Sequence, residues 1–130
     1  MAPDADSYRG ALEAVDRVLN REPEADEVLR QVVAVLRDRL DTYDWVGISF
    51  LEEGAPVLGP WQGAHAEGAP THDEEVVYDG TKVATLTVAA AEGYDFTAED
   101  RAFLKRVALL ISPHCLVGWD TGGVPWPEVR

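Results

Sequence analysis

A chain of 130 residues, 46% hydrophobic and with a formal net charge of −13, is long enough for one domain and too apolar to remain disordered. Its single cysteine, Cys115, excludes an internal disulfide and a cysteine-based zinc site, and no apolar run approaches the roughly 18–20 residues that span a bilayer. Between Asp41 and Ala98 eleven carboxylates accompany one base, Lys82, so there is no basic stripe for nucleic acid and phosphate-bearing ligands or anionic membranes are repelled.

The start, Met1-Ala2-Pro3-Asp4-Ala5-Asp6, is polar and acidic and does not read as a secretory signal, which makes the cytosol the expected location. A first helix is predicted from Ser7 to about Asn20, capped by Asp6 or Ser7, with Tyr8, Leu12, Val15 and Leu19 on one stripe. Pro23 suits the first turn of a second helix, running to about Leu40. Its wide apolar face, from Val28 to Leu40, calls for burial against two surfaces. Trp45 to Leu51 reads as a strand, Glu52 to Pro56 as a turn and Val57 to Trp61 as a short return strand. Gly63 to Asp73 lacks any period and reads as a loop. Glu74–Tyr78 and Thr81–Ala90 form a hairpin around Asp79-Gly80, the pair a type I′ turn favours.

The last helix opens at Thr97, which makes a capping box with Asp100, and Pro113 should bend or end it. Residues 118–130 read as an extended C-terminal tail outside a core of about 7–117. The order α-α-β-β-β-β-α, with hairpins between neighbours, predicts one α+β domain: an antiparallel sheet with its helices packed on one face.

Two stretches carry a family resemblance. Trp45-Val46-Gly47-Ile48-Ser49-Phe50-Leu51 with Leu58-Gly59-Pro60-Trp61-Gln62-Gly63 resembles the first hairpin of GAF-type free methionine-(R)-sulfoxide reductases. Glu75-Val76-Val77, Asp79-Gly80-Thr81-Lys82-Val83 and Phe96-Thr97-Ala98-Glu99-Asp100 resemble the later hairpin and closing helix, features that GAF domains share widely. The resemblance implies a GAF-like fold over about Ser7 to Val117. The departures are chemical. Glu67 stands where the reductases place a cysteine, and only ten residues, Ala64 to Asp73, replace their long excursion over the pocket. Leu86-Thr87-Val88-Ala89 lacks the family's paired aspartates, which leaves Glu75 as the one acidic ligand-type position retained.

Sulfoxide reduction needs an attacking thiolate and a resolving thiol, and Cys115 sits late in an apolar helix as a small hydrophobe. The expectation is therefore a non-catalytic GAF-like module that binds a small molecule or forms a homodimer, with a diverged reductase as the alternative. Trp45, Trp61 and Glu75 are the candidate ligand-binding residues, and the acidity favours a neutral or cationic ligand. A third reading is a metal site built from His65, Glu67, His72 and Asp73 in the 64–73 loop, although their spacing fits no established pattern. No phosphate-binding loop, dinucleotide fingerprint or nucleophile elbow is present, and the sequence calls for no cofactor. Asp95 and Asp100 flank a helix start, where the dipole stabilises them, and His114 is placed to meet the last carbonyls of its helix. Apolar stripes on three helices exceed what one small sheet face can cover. This predicts a homodimer through the terminal helices, burying Tyr8, Leu12 or Val15, unless Trp119 and Trp126 fold back over the sheet or dock on another subunit.

Overall fold

The computed structural model describes residues 2–21, 25–64 and 66–115. Pro23, His65 and the stretch holding Trp119 and Trp126 lie outside them. The elements run in the order α1 (Ala5–Arg21), α2 (Ala25–Arg39), β1 (Tyr43–Glu52), β2 (Ala55–Gly63), β3 (Thr71–Tyr78), β4 (Thr81–Ala90) and α3 (Ala98–Cys115). The four strands form one antiparallel sheet in the order β2-β1-β4-β3. This is the α+β architecture expected from the hydrophobic pattern.

Local chemistry explains the element ends. Asp4, rather than Asp6 or Ser7, caps α1: its Oδ1 accepts the Ser7 amide at 2.8 Å, and that bond holds its carboxyl below the usual range. Glu53-Gly54 and Asp79-Gly80 both have positive φ at both residues, which makes each hairpin turn type I′. The first turn is thus only two residues long, and Glu52 pairs directly with Ala55.

The reading of Gly63–Asp73 as loop is corrected at both ends. β2 runs on to Gly63 because Trp61, Gln62 and Gly63 pair with Gly47, Val46 and Trp45, and β3 starts at Thr71 because Thr71 pairs with Ala89. Gln62, Gly63, His72 and Asp73 carry little strand preference of their own, and cross-strand pairing supplies it. Pro113 also does not end α3, which continues to Cys115. A proline at 113 removes the amide that would bond the Leu109 carbonyl, and the Ser112 hydroxyl donates to that carbonyl instead, at 3.0 Å.

All three helices lie on one side of the sheet, in two tiers. α2 packs on β1 and β2, α3 packs on β3 and β4, and α1 rests on α2 and α3. Two helices therefore use up the sheet face and the third covers them. Val46, Ile48 and Phe50 of β1 and Ala84, Leu86 and Val88 of β4 meet Val28, Leu29, Val32, Val33 and Leu36 of α2 and Phe103, Leu104, Val107 and Ile111 of α3 in one continuous core. Among the described residues no helix is long and apolar enough to cross a membrane.

Candidate functional site

The face of the sheet away from the helices carries no element of the described chain. Strand alternation and register decide which side chains it presents. One row runs Trp61, Gly47, Thr87, Asp73 across β2, β1, β4 and β3, and a second runs Leu58, Ser49, Thr85, Glu75. Small and hydroxyl side chains occupy the two central strands. Aromatic and apolar groups gather toward β2, and carboxylates line β3.

Trp45 and Trp61 come together as the sequence suggested. Their rings stack at 6.3 Å between centroids and 24° between planes. Gly47 makes this possible, because a Cβ there would lie 2.3 Å from the Trp45 ring. The indole occupies the room that a side chain at 47 would need. Gly63 has a second demand. Its φ of +102° lies in the region that glycine favours, and a Cβ would meet the Asp44 carbonyl at 2.1 Å. That carbonyl also accepts the Arg37 Nε–H at 2.9 Å and the Ala64 amide at 3.1 Å. The Leu-Gly-Pro-Trp-Gln-Gly segment thus has structural reasons for its tryptophan and its last glycine.

Glu75, the third candidate, shares the face but not the place. It lies on β3, three strand spacings or about 14 Å from β2. Its side chain is largely exposed and its nearest cation is Lys82, at 3.9 Å. Between the tryptophans and Glu75 lies a shallow hollow of about 380 Å³, lined by Ser49, Leu51, Pro56, Asp73, Lys82, Thr85 and Thr87 among others. Thr87 donates to Asp73 at 2.7 Å across the strands. Sequence reading missed the hydroxyl floor because serine and threonine in a strand signal nothing by themselves. The alternation of Val83, Thr85 and Thr87 against Ala84, Leu86 and Val88 was the available clue.

The proposed metal ligands separate. Because Thr71–Asp73 is strand, His72 and Asp73 point to opposite faces of the sheet. His72 turns toward the helices, where Nε2 lies 3.2 Å from Glu74 Oε1 and the ring is 5.7 Å from that of Phe96. Glu67 lies in the β2–β3 turn, beside a second hollow of about 210 Å³ that Asp44 and Glu92 also border. Among the described residues no three histidine, cysteine or acidic side chains gather where they could hold a metal ion.

Cys115 is fully buried in the core on the helix side, and burial pushes its thiol up to about 12. A thiol so held is not a nucleophile near neutral pH. His114 is likewise shifted by burial, downward.

The strongest polar feature was read from sequence only as a helix cap. Thr97 and Asp100 do form the capping box: the Asp100 amide donates to Thr97 Oγ1 at 3.0 Å and the Thr97 amide to Asp100 Oδ2 at 2.8 Å. The same fully buried carboxylate also accepts the hydroxyls of Tyr8 at 2.7 Å, of Tyr43 at 2.5 Å, and of Tyr94. Burial alone would raise its pKa. The bonds from Tyr43, Tyr94, Thr97 and Tyr8 outweigh burial and hold it below the usual carboxylate range. No local signal marks this cluster, since Tyr8, Tyr43 and Tyr94 lie far apart in the chain beside polar neighbours and meet only in the fold.

An antiparallel sheet with its helices packed on one face is the fold that comparison with solved structures also returns. The fold is that of a GAF domain. A GAF domain from a phosphoenolpyruvate-protein phosphotransferase of Coxiella burnetii matches with a TM-score of 0.75 at 14% identity, covering 94% of this chain and all of the other. Free methionine-R-sulfoxide reductase from Neisseria meningitidis, in complex with its substrate, matches with a TM-score of 0.73 at 17% identity over 92% and 95% of the two chains. The fRMsr of Staphylococcus aureus matches at 0.69 and 18%, over 88% and 99%. At these identities the GAF fold is what is shared. No family profile and no curated protein sequence matches the chain.

Proposed function

We propose that this chain is a non-catalytic GAF-fold module of the cytosol that binds a small neutral or cationic molecule on the outer face of its sheet. One observation carries the reading. The single thiol is buried on the helix side with its pKa near 12, while the hydroxyl-floored hollow and the tryptophan pair lie on the other side. A reductase needs its thiolate at the pocket. The face supplies aromatic surface, hydroxyls and carboxylates with one nearby cation, Lys82, which suits an uncharged or positive ligand better than a phosphate.

The test has two arms. Purified protein with dithiothreitol should not reduce free methionine-(R)-sulfoxide above background; turnover that disappears in Cys115→Ser overturns the non-catalytic reading. Calorimetry with a cyclic nucleotide should give no binding at micromolar concentration, and binding there overturns the assignment of ligand charge.

A second role, homodimerisation through α1 and α3, has a narrower basis than the sequence suggested. Val15 is fully buried within the chain and Tyr8 commits its hydroxyl to Asp100, which leaves Leu12 on α1 and the 59%-exposed Leu109 on α3 as apolar contact points. Sedimentation equilibrium near twice 14.2 kDa, falling toward the monomer in Leu12→Glu, is the expected result.

A further inference from the structure

The outer face has an apolar lane along one side: Trp45 and Leu51 of β1 beside Pro56, Leu58 and Trp61 of β2, with Leu58 47% exposed. We propose that the occupant of this lane is the chain's own segment 116–130, seating Trp126 against Trp61 and Leu58. The proposal concerns what covers the lane; Leu51 and Pro56 border the hollow as well, so a small molecule there would meet the seated segment on that side.

Three observations favour this occupant. The first is position. α3 begins at the end of the sheet where Tyr43 pairs with Ala90, because Asp100 in its first turn binds the Tyr43 hydroxyl. Packed along β3 and β4, its 18 residues rise about 27 Å, which carries Cys115 toward the opposite end, where the Asp79-Gly80 turn lies. The second is reach. Trp126 stands eleven residues past Cys115, a span of up to about 36 Å, which an extended segment needs to round β3, cross about 14 Å of sheet and run about 20 Å along the strands to the Trp61 row.

The third is chemistry. Residues 116–130 contain Leu116, Val117, Trp119, Val124, Trp126 and Val129 with only Asp120, Glu128 and Arg130 charged, so they bring apolar surface and little charge to an acidic domain. A second copy docking through the same face would set Asp73 and Glu75 against another acidic face. Indole N–H groups would also find acceptors in the carboxylates and hydroxyls of the two central rows.

The full-length chain, grown with 5-fluorotryptophan, has four tryptophans and therefore four fluorine resonances, each assigned by its Trp→Phe variant. A neutral gadolinium chelate then broadens whichever indoles meet solvent. The Trp45 and Trp61 resonances should broaden little in the wild-type chain and severalfold more in Trp119→Ala/Trp126→Ala, with unchanged circular dichroism. Equal broadening in both proteins overturns the proposal. So does protection in the wild type that fades on dilution, which would name a second copy as the cover.

Discussion

The two faces of the sheet are built from the same four strands and obey different rules. On the helix side Val46, Ile48, Phe50, Ala84, Leu86 and Val88 are at most 1% exposed, and the buried Asp100 carboxylate has five donated bonds to satisfy it. On the other side Gly47, Ser49, Thr85 and Thr87 form a floor that no helix of the described residues covers, and the largest groups there are two stacked indoles. One face is specified by packing and can change little. The other is specified by what it leaves open. The expected consequence is that substitutions on the helix side change stability, while exchanging the side chains that project from the open floor changes mainly what the face can bind.

The largest effect should follow Asp100→Ala. It removes the shared acceptor of Tyr8, Tyr43 and Tyr94 and half of the α3 capping box at once. Leaving the buried Tyr43 hydroxyl unpaired costs about 1–3 kcal/mol, and the half-buried Tyr8 and Tyr94 hydroxyls and the lost cap add to it, so the total should be about 3 kcal/mol in urea denaturation. A loss below about 1 kcal/mol would mean that water replaces the carboxylate, and the contrast between faces would fail there.

The same cluster sets the pH limits. The Asp100 pKa is lowered in the folded state, so its contribution is present above the unfolded value of 3.8 and is lost as pH falls through the folded value below it. The tyrosines run the other way. Burial first, then the bond to Asp100, raises Tyr8 to about 12 and shifts Tyr43 and Tyr94 upward as well. Their contribution is complete below the unfolded value of 10.0 and is lost as pH rises above it, beginning with Tyr8. Tyrosinate absorbance should therefore rise steeply with unfolding between about pH 10 and 12. Tyr8→Phe, which removes one of the three raised groups, should make that limb shallower. An independent, gradual titration of all tyrosines would remove them from the network.

This division also sets what the sequence made legible. Helix-side elements announce themselves, because a stripe such as Val28-Leu29-Val32-Val33-Leu36 has only one stable use. The I′ turn at Asp79-Gly80 was readable for the same kind of local reason, whereas Glu52 to Pro56 read as a longer turn than the two-residue Glu53-Gly54 one it holds. The ends of β2 and β3 were not, because Gln62-Gly63 and Thr71-His72-Asp73 become strand only through partners 14 to 18 residues away in β1 and β4. That long-range pairing is also what split His72 from Asp73. The candidate site was half legible: Trp45 and Trp61 meet, whereas Glu75 sits across the sheet. Asp100 was found as a cap and missed as a hub, since three tyrosines at positions 8, 43 and 94 converge only in the fold.

An intermediate effect should come from Gly47→Val, on the outer face but under Trp45. The new Cβ cannot coexist with an indole atom 2.3 Å away, so Trp45 must leave its stack on Trp61. Strain of this kind costs about 1–3 kcal/mol. The variant should lose that much stability and show a red-shifted tryptophan emission. Unchanged emission would show that the stack survives, and hence that Gly47 is not its seat.

The smallest effect should belong to Thr85→Val, and it tests the comparison most directly. Thr85 lies between Ala84 and Leu86, both at 1% exposure, yet its own side chain projects from the opposite face into the hollow. Valine keeps the branched shape and the strand preference, so neither packing nor backbone conformation is disturbed. Among the described residues the cross-strand bond that fastens this region is made by Thr87 to Asp73 and not by the Thr85 hydroxyl. The expected change in unfolding free energy is within about 0.5 kcal/mol. The same methyl-for-hydroxyl exchange removes a polar atom from the floor of the hollow, so any small molecule that uses the face should bind Thr85→Val measurably more weakly while the melting temperature stays put. A loss of stability near that of a core substitution would mean that this face is packed after all, and that the hollow is a seam of the fold rather than a surface kept open.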